Sequence, residues 1–106
     1  LIEQVLINLI NNSTDALHRI ESPTITISCI IEESNILILV HDNGKGIEDE
    51  IVNQIFIPFY TTKKNGSGIG LSLSKSILRK HGGNLIVNSI PGKTTTFSLI
   101  FNNSSN

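Results

Sequence analysis

Two segments of this 106-residue chain carry residue types that could do chemistry: Asp42-Asn43-Gly44-Lys45-Gly46-Ile47 and Gly66-Ser67-Gly68-Ile69-Gly70-Leu71. A carboxylate accepts hydrogen bonds and donates none, so Asp42 suits an exocyclic amine such as adenine's and not guanine's carbonyl. Gly44 and Gly46 let the backbone turn and leave space for a flat ring. The second cluster opens a helix, whose first N–H groups and dipole favour an anion. Lys63 and Lys64 lie on the adjoining loop, within reach of terminal phosphates. Asn8 and Asn12 stand one helical turn apart on one face. Amide oxygens are reasonable ligands for Mg²⁺, which keeps several waters and leans on substrate phosphates. Each feature also has a plainer reading: Asp42 as a loop cap, the lysines as solvated side chains, the asparagines as a polar helix face. Together they point to a nucleotide site.

Two common phosphate motifs are missing. Gly44-Lys45-Gly46 has neither the spacer nor the hydroxyl of a P-loop. The second cluster follows a polar loop and lacks the third glycine of a dinucleotide fingerprint, with Leu71 at that position.

The elements that must position these residues follow from periodicity. Residues 1–20 read as an amphipathic helix, with Val5, Leu6, Leu9 and Leu17 in one sector and Asn8, Asn11, Asn12, Asp15 and Arg19 in another. The two stripes are centred about 130° apart, so one side is buried and the other turns toward a cleft. Pro23 closes this region. Residues 24–31 alternate, which predicts a half-buried strand with Ile25, Ile27, Cys29 and Ile31 inward. A turn at 33–35 leads to a second strand over 36–41, which delivers the chain to Asp42. Residues 48–55 read as a short helix, 57–60 as an extended stretch and 61–68 as a polar loop. A third helix over 70–80 ends at Gly82-Gly83. Strands over 84–89 and 95–101 follow, joined at 90–93, with Phe97, Leu99 and Phe101 inward. The expected fold is α+β: a two-layer sandwich with a mixed, mostly antiparallel sheet covered on one face by helices.

Composition narrows the class. At 39% hydrophobic and 16% charged the chain is ordinary globular material, long enough for one domain. A net charge of −1 gives no bulk attraction to nucleic acid or an anionic membrane. Cys29 is the only cysteine, so neither an internal disulfide nor a CxxC metal site is available. No apolar run reaches the roughly 18 residues of a membrane helix. The chain opens inside a helical pattern, and is therefore expected to be a fragment.

In order along the chain, "QVLINLINNSTDA" (4–16), "DNGKGI" (42–47), "FIPFYTTK" (56–63) and "GSGIGL" (66–71) resemble the N, first glycine, F and second glycine boxes of sensor histidine kinase ATP-binding domains. That family sits within the superfamily of gyrase-, Hsp90- and MutL-type ATPases, and four boxes in order are highly specific. The resemblance implies a Bergerat-type fold over 1–101, lacking its first strand, with a disordered tail over 102–106. It implies ATP and Mg²⁺ as cofactors. Asn12, with Asn8 a turn earlier, becomes the Mg²⁺ site, and Asn8 also positions the reacting phosphate. Asp42 becomes the adenine-binding acid, with Gly44, Gly46 and Ile47 beside it and Thr95 supporting the base through water. Tyr60, Thr62 and Lys63 flank the ATP lid, Gly68 and Gly70 carry its phosphate contacts, and Gly66, Ile69 and Leu71 are counted in the ATP site. Asp15 is counted in the ATP site, although many of these kinases have lysine there. Thr94 stands where glycine is usual.

The superfamily's hydrolases carry a glutamate base where Asn8 stands, and asparagine cannot serve as one. The resemblance thus implies a protein-histidine kinase, the γ-phosphate passing to a histidine on a separate dimerisation domain and then to a response regulator. The parent is expected to be a homodimer with this part in the cytoplasm, with or without a membrane anchor, and no nucleic acid partner. The alternatives are an ATP hydrolase of the same superfamily and a non-catalytic docking module. His18, His41 and His81 are not expected to be phosphoacceptors. Cys29 is expected to pack, and Lys45 to be solvated.

Overall fold

A computed structural model describes residues 2–60 and 70–102. Among the described residues, three helices and four strands run in the order α1 (Ile2–Ala16), β1 (Ile25–Glu32), β2 (Asn35–Asp42), α2 (Asp49–Val52), α3 (Gly70–Lys80), β3 (Gly83–Ile90) and β4 (Thr94–Asn102). The strands form one sheet of order β1-β2-β4-β3. All three pairings are antiparallel, so no parallel component of the expected mixed sheet occurs among the described residues. Asn102 closes β4 instead of opening the tail. The remaining tail residues lie outside the described residues, and no described helix is long and apolar enough to cross a membrane.

The pleat explains the core. Val40, Phe97 and Val87 are register partners across β2, β4 and β3, and Ile38, Leu99 and Leu85 form the next row on the same face. Against these rows pack Val5 and Leu9 of α1 and Leu78 of α3, all fully buried. Val5, Leu9 and Ser13 recur every fourth residue, the spacing that keeps one helix face on the sheet.

Further expectations need correction. The alternation in β1 is real, and Ile27, Cys29 and Ile31 do pair with Val40, Ile38 and Ile36 on the helix-side face. Yet Ile27 and Ile31 are 52% and 72% exposed, and Cys29 is exposed rather than packed. β1 is one edge of the sheet, and the helices cover the strands beyond it instead. Residues 57–60 are turns rather than an extended stretch. Ile57 N–H donates to the Gln54 carbonyl and Tyr60 N–H to the Ile57 carbonyl, while Phe59 has φ +71°. The helix over 48–55 shortens to the single turn of α2, with Glu48 as its N-cap.

α1 also stops short of residue 20. The Ala16 carbonyl accepts the N–H of Lys45 at 3.1 Å, and Arg19 takes φ +65°. The Lys45 carbonyl in turn accepts Gly92 N–H at 2.7 Å from the β3–β4 turn. One residue of the glycine loop therefore joins the end of α1 to a hairpin half the chain away.

Candidate nucleotide site

A cleft of about 1090 Å³ opens between α1, the 42–48 loop and the head of α3. At one end the sheet supplies a polar row. Asp42 pairs with Thr95, and Thr95 with Ser89, so three polar side chains from β2, β4 and β3 share the helix-side face. The adjoining row, Val40–Phe97–Val87, is apolar. Polarity is thus confined to the end of the sheet that meets the cleft.

The Asp42 carboxylate is fixed by its own loop. Gly44 N–H donates to Oδ1 at 2.8 Å, and Asp42 is 1% exposed. Gly44 does not line the cleft; it lies buried behind the acid, and a Cβ there would sit 2.6 Å from the Ala16 carbonyl oxygen. Gly46 has φ +72°, and a Cβ there would lie 2.5 Å from the Ile90 carbonyl oxygen. Only glycine meets both constraints without strain. The neighbouring Asn43 staples the loop outward: its Oδ1 accepts Thr24 N–H at 2.8 Å and its Nδ2 donates to the Ser22 carbonyl at 3.0 Å.

Ser89 ties the loop to the polar row. Its Oγ accepts Ile47 N–H at 2.8 Å, donates to the Thr94 carbonyl at 2.8 Å and lies 3.2 Å from Thr95 Oγ1. The sequence offered one signal for Ser89: a polar residue on the inward face of a strand whose other inward residues are apolar or glycine.

At the other end, α1 meets α3. Asn8 Nδ2 donates to Ser74 Oγ at 2.9 Å, and a Cβ at Gly70 would fall 2.6 Å from Asn8 Oδ1. Side-chain space at Gly70 is thus taken up by Asn8. Lys75, the next residue on α3, donates to the Leu85 carbonyl at 3.0 Å and lies 4.4 Å from the Phe56 ring centroid. Burial, and secondarily Arg79, hold its pKa below the ordinary lysine value.

Asn8, Asn12, Asp15, Asp42, Gly46, Ile47, Tyr60, Gly70, Leu71 and Thr95 all line the cleft. Thr62, Lys63, Gly66, Gly68 and Ile69 lie outside the described residues. Lys45, exposed as the sequence reading expects, also contributes to the lining, as do His18, Ile51, Ile55 and Phe97. The apolar members line the cleft beside the buried Asp42 carboxylate.

Comparison with known proteins accords with this geometry. Residues 1–104 match the family described as histidine kinase-, DNA gyrase B-, and HSP90-like ATPase. The chain is 40% identical over 94 residues to the C4-dicarboxylate transport sensor protein DctB of Rhizobium meliloti, covering 89% of this chain and 15% of that protein. It is 40% identical over 103 residues to the signal transduction histidine-protein kinase AtoS of Escherichia coli, covering 94% of this chain and 16% of that one. The catalytic domain of histidine kinase ThkA superposes with a TM-score of 0.82 at 32% identity, over 96% of this chain and 66% of that chain. The chain belongs to the family of histidine kinase-, DNA gyrase B- and HSP90-like ATPases, and within it to the ATP-binding catalytic domains of sensor histidine kinases. It spans about a sixth of the length of these two relatives, 15% of DctB and 16% of AtoS.

Proposed function

We propose that this chain holds ATP with Mg²⁺ and presents the γ-phosphate to a histidine on a separate dimerisation domain of its parent protein, from which the phosphoryl group passes to a response regulator. The observation that carries the reading is the fixed Asp42 carboxylate at the floor of an apolar-walled cleft whose far end is the head of α3. Asp42 receives the adenine amine, with Thr95 beside it. Gly46 and Ile47 flank the ring. Gly70 and Leu71, at the start of α3, face the phosphates, where helix N–H groups stabilise negative charge. In the same reading Gly68 contacts the phosphates, Thr62 and Lys63 flank the ATP lid, and Gly66 and Ile69 belong to the ATP site. Asp15 and Tyr60 line the same space.

The donor set fits Mg²⁺. No group of three or more His, Cys, Asp or Glu that could hold a metal occurs among the described residues. A cation here would rest on amide and phosphate oxygens and water, which is the usual regime of Mg²⁺ beside a nucleotide. Asn8 and Asn12 would hold it. When bound, the ion neutralises charge on the transferring phosphoryl group, and the protein's own task is placement.

Asn8 supports transfer over hydrolysis, because an amide cannot take a proton from water as a carboxylate does. Calorimetric titration of the chain with ATP and Mg²⁺ tests the reading: binding is expected, and Asp42→Asn is expected to weaken it. No binding, or brisk ATP hydrolysis by the unmodified chain, would sink it. Asn8→Glu is expected to raise hydrolysis.

A further inference from the structure

We infer that Ser74 is a positioning residue: its hydroxyl sets which way the Asn8 amide faces, and so which atom Asn8 offers to a divalent cation. The inference rests on the proposed Mg²⁺ role of Asn8. An asparagine side chain ends in an oxygen that can ligate a cation and an NH₂ group that repels one. The torsion that exchanges them is broad and roughly two-fold, so an unrestrained amide samples both faces.

Two neighbours remove that freedom. Ser74 Oγ accepts from Nδ2 at 2.9 Å. Oδ1 and Nδ2 both lie against Gly70, 2.6 and 3.0 Å from the position that a Cβ there would occupy, with the oxygen the nearer. Gly70 is the first residue of α3, where the helix carries partial positive charge, which favours the oxygen and disfavours the NH₂ group. A hydroxyl can donate as well as accept, and here the bond runs from Asn8 Nδ2 to the Ser74 oxygen. Both contacts select one face of the amide.

Packing alone gives no reason for a hydroxyl at this position. Ser74 is 3% exposed and shares the buried side of α3 with Leu78. Alanine there would be the better helix former and would bury no polar atom. The hydroxyl's partner is Asn8, sixty-six residues away in sequence and on the cleft wall.

The test is titration of the full chain with ATP in EDTA and with ATP in excess Mg²⁺, for wild type, Ser74→Ala and Asn8→Ala. Wild type is expected to bind more tightly with Mg²⁺. Ser74→Ala is expected to lose about three- to tenfold of that Mg²⁺-dependent gain, the range of one hydrogen bond, with affinity in EDTA unchanged within about twofold. In the Asn8→Ala background Ser74→Ala is expected to have no further effect on the gain. Should the alanine variant melt early, Ser74→Cys supplies a near-isosteric replacement with a poor acceptor, and the same direction is expected. Equal loss in EDTA and Mg²⁺, or no loss in either, overturns the inference while the ATP·Mg²⁺ reading stands. A wild-type chain that binds ATP indifferently to Mg²⁺ removes the reading itself, and the inference with it.

Discussion

The two ends of the cleft are built in different ways. Around Asp42, positions are set largely from the backbone: strand register aligns Asp42, Thr95 and Ser89, and the N–H groups of Gly44, Lys45 and Ile47 hold the loop on the Asp42 carboxylate, the Ala16 carbonyl and Ser89 Oγ. At the α1–α3 seam, positions are set by side chains: Asn8 on Ser74, and Lys75 on Phe56 and the Leu85 carbonyl. A backbone-held site tolerates exchange of its functional atom with little displacement. A side-chain-held site shifts when its anchors change.

The sharpest challenge to this contrast is Asp42→Asn. The asparagine can still accept Gly44 N–H, so the loop is expected to keep its shape while the charged acceptor disappears. A charge-assisted hydrogen bond contributes about 1.5–3 kcal/mol, so ATP affinity is expected to fall roughly ten- to hundredfold, with melting temperature little changed. A large drop in melting temperature would show that the acid holds the loop as well as the ligand.

Gly46→Val attacks the backbone directly. A β-branched residue at φ +72°, with its Cβ meeting the Ile90 carbonyl, is expected to cost about 2 kcal/mol or more in urea unfolding. A cost below about 0.5 kcal/mol, the range of an ordinary surface exchange, would mean that the loop is not held as described.

Asn43→Ala removes the two bonds to Ser22 and Thr24 from the outer side of the same loop. About 1 kcal/mol of stability is expected to go, since these bonds are exposed to water. ATP affinity is expected to be nearly retained, because Asp42 is held from within.

The smallest effect lies at the seam. Burial, then Arg79, lower the pKa of Lys75 in the folded chain, so the unfolded chain keeps its proton to higher pH. Stability is therefore expected to rise with pH as the native lysine titrates, and to level off above the unfolded value. Melting curves across the alkaline range should show that slope in wild type and a flatter one in Lys75→Met.

What could be read from sequence follows the same division. Asp42, its glycines and α3 were legible because turns and helix ends demand particular residue types locally. Alternation told which residues of β1 share a face, but not how far the helices reach across the sheet, so Ile27, Cys29 and Ile31 were placed inside and are exposed. The turns over 57–60 depend on Phe59 adopting positive φ, which a phenylalanine gives no reason to expect. The Asn8–Ser74 bond joins two helices distant in sequence, and no local pattern reports it. His18 and Lys45 look solvent-bound by residue type, and only the end of α1 folding onto the glycine loop brings them to the cleft.

The peptide groups flanking Lys45 have a kinetic meaning. Its N–H is bonded to the end of α1 and its carbonyl to Gly92 N–H, so opening the glycine loop exposes two amides from distant segments at once. In hydrogen–deuterium exchange the Lys45 and Gly92 amides should open as one cooperative unit, and a ligand seated on Asp42 should slow both. The β3–β4 turn, which touches no proposed ligand atom, then becomes a reporter of whether the adenine end of the cleft is filled.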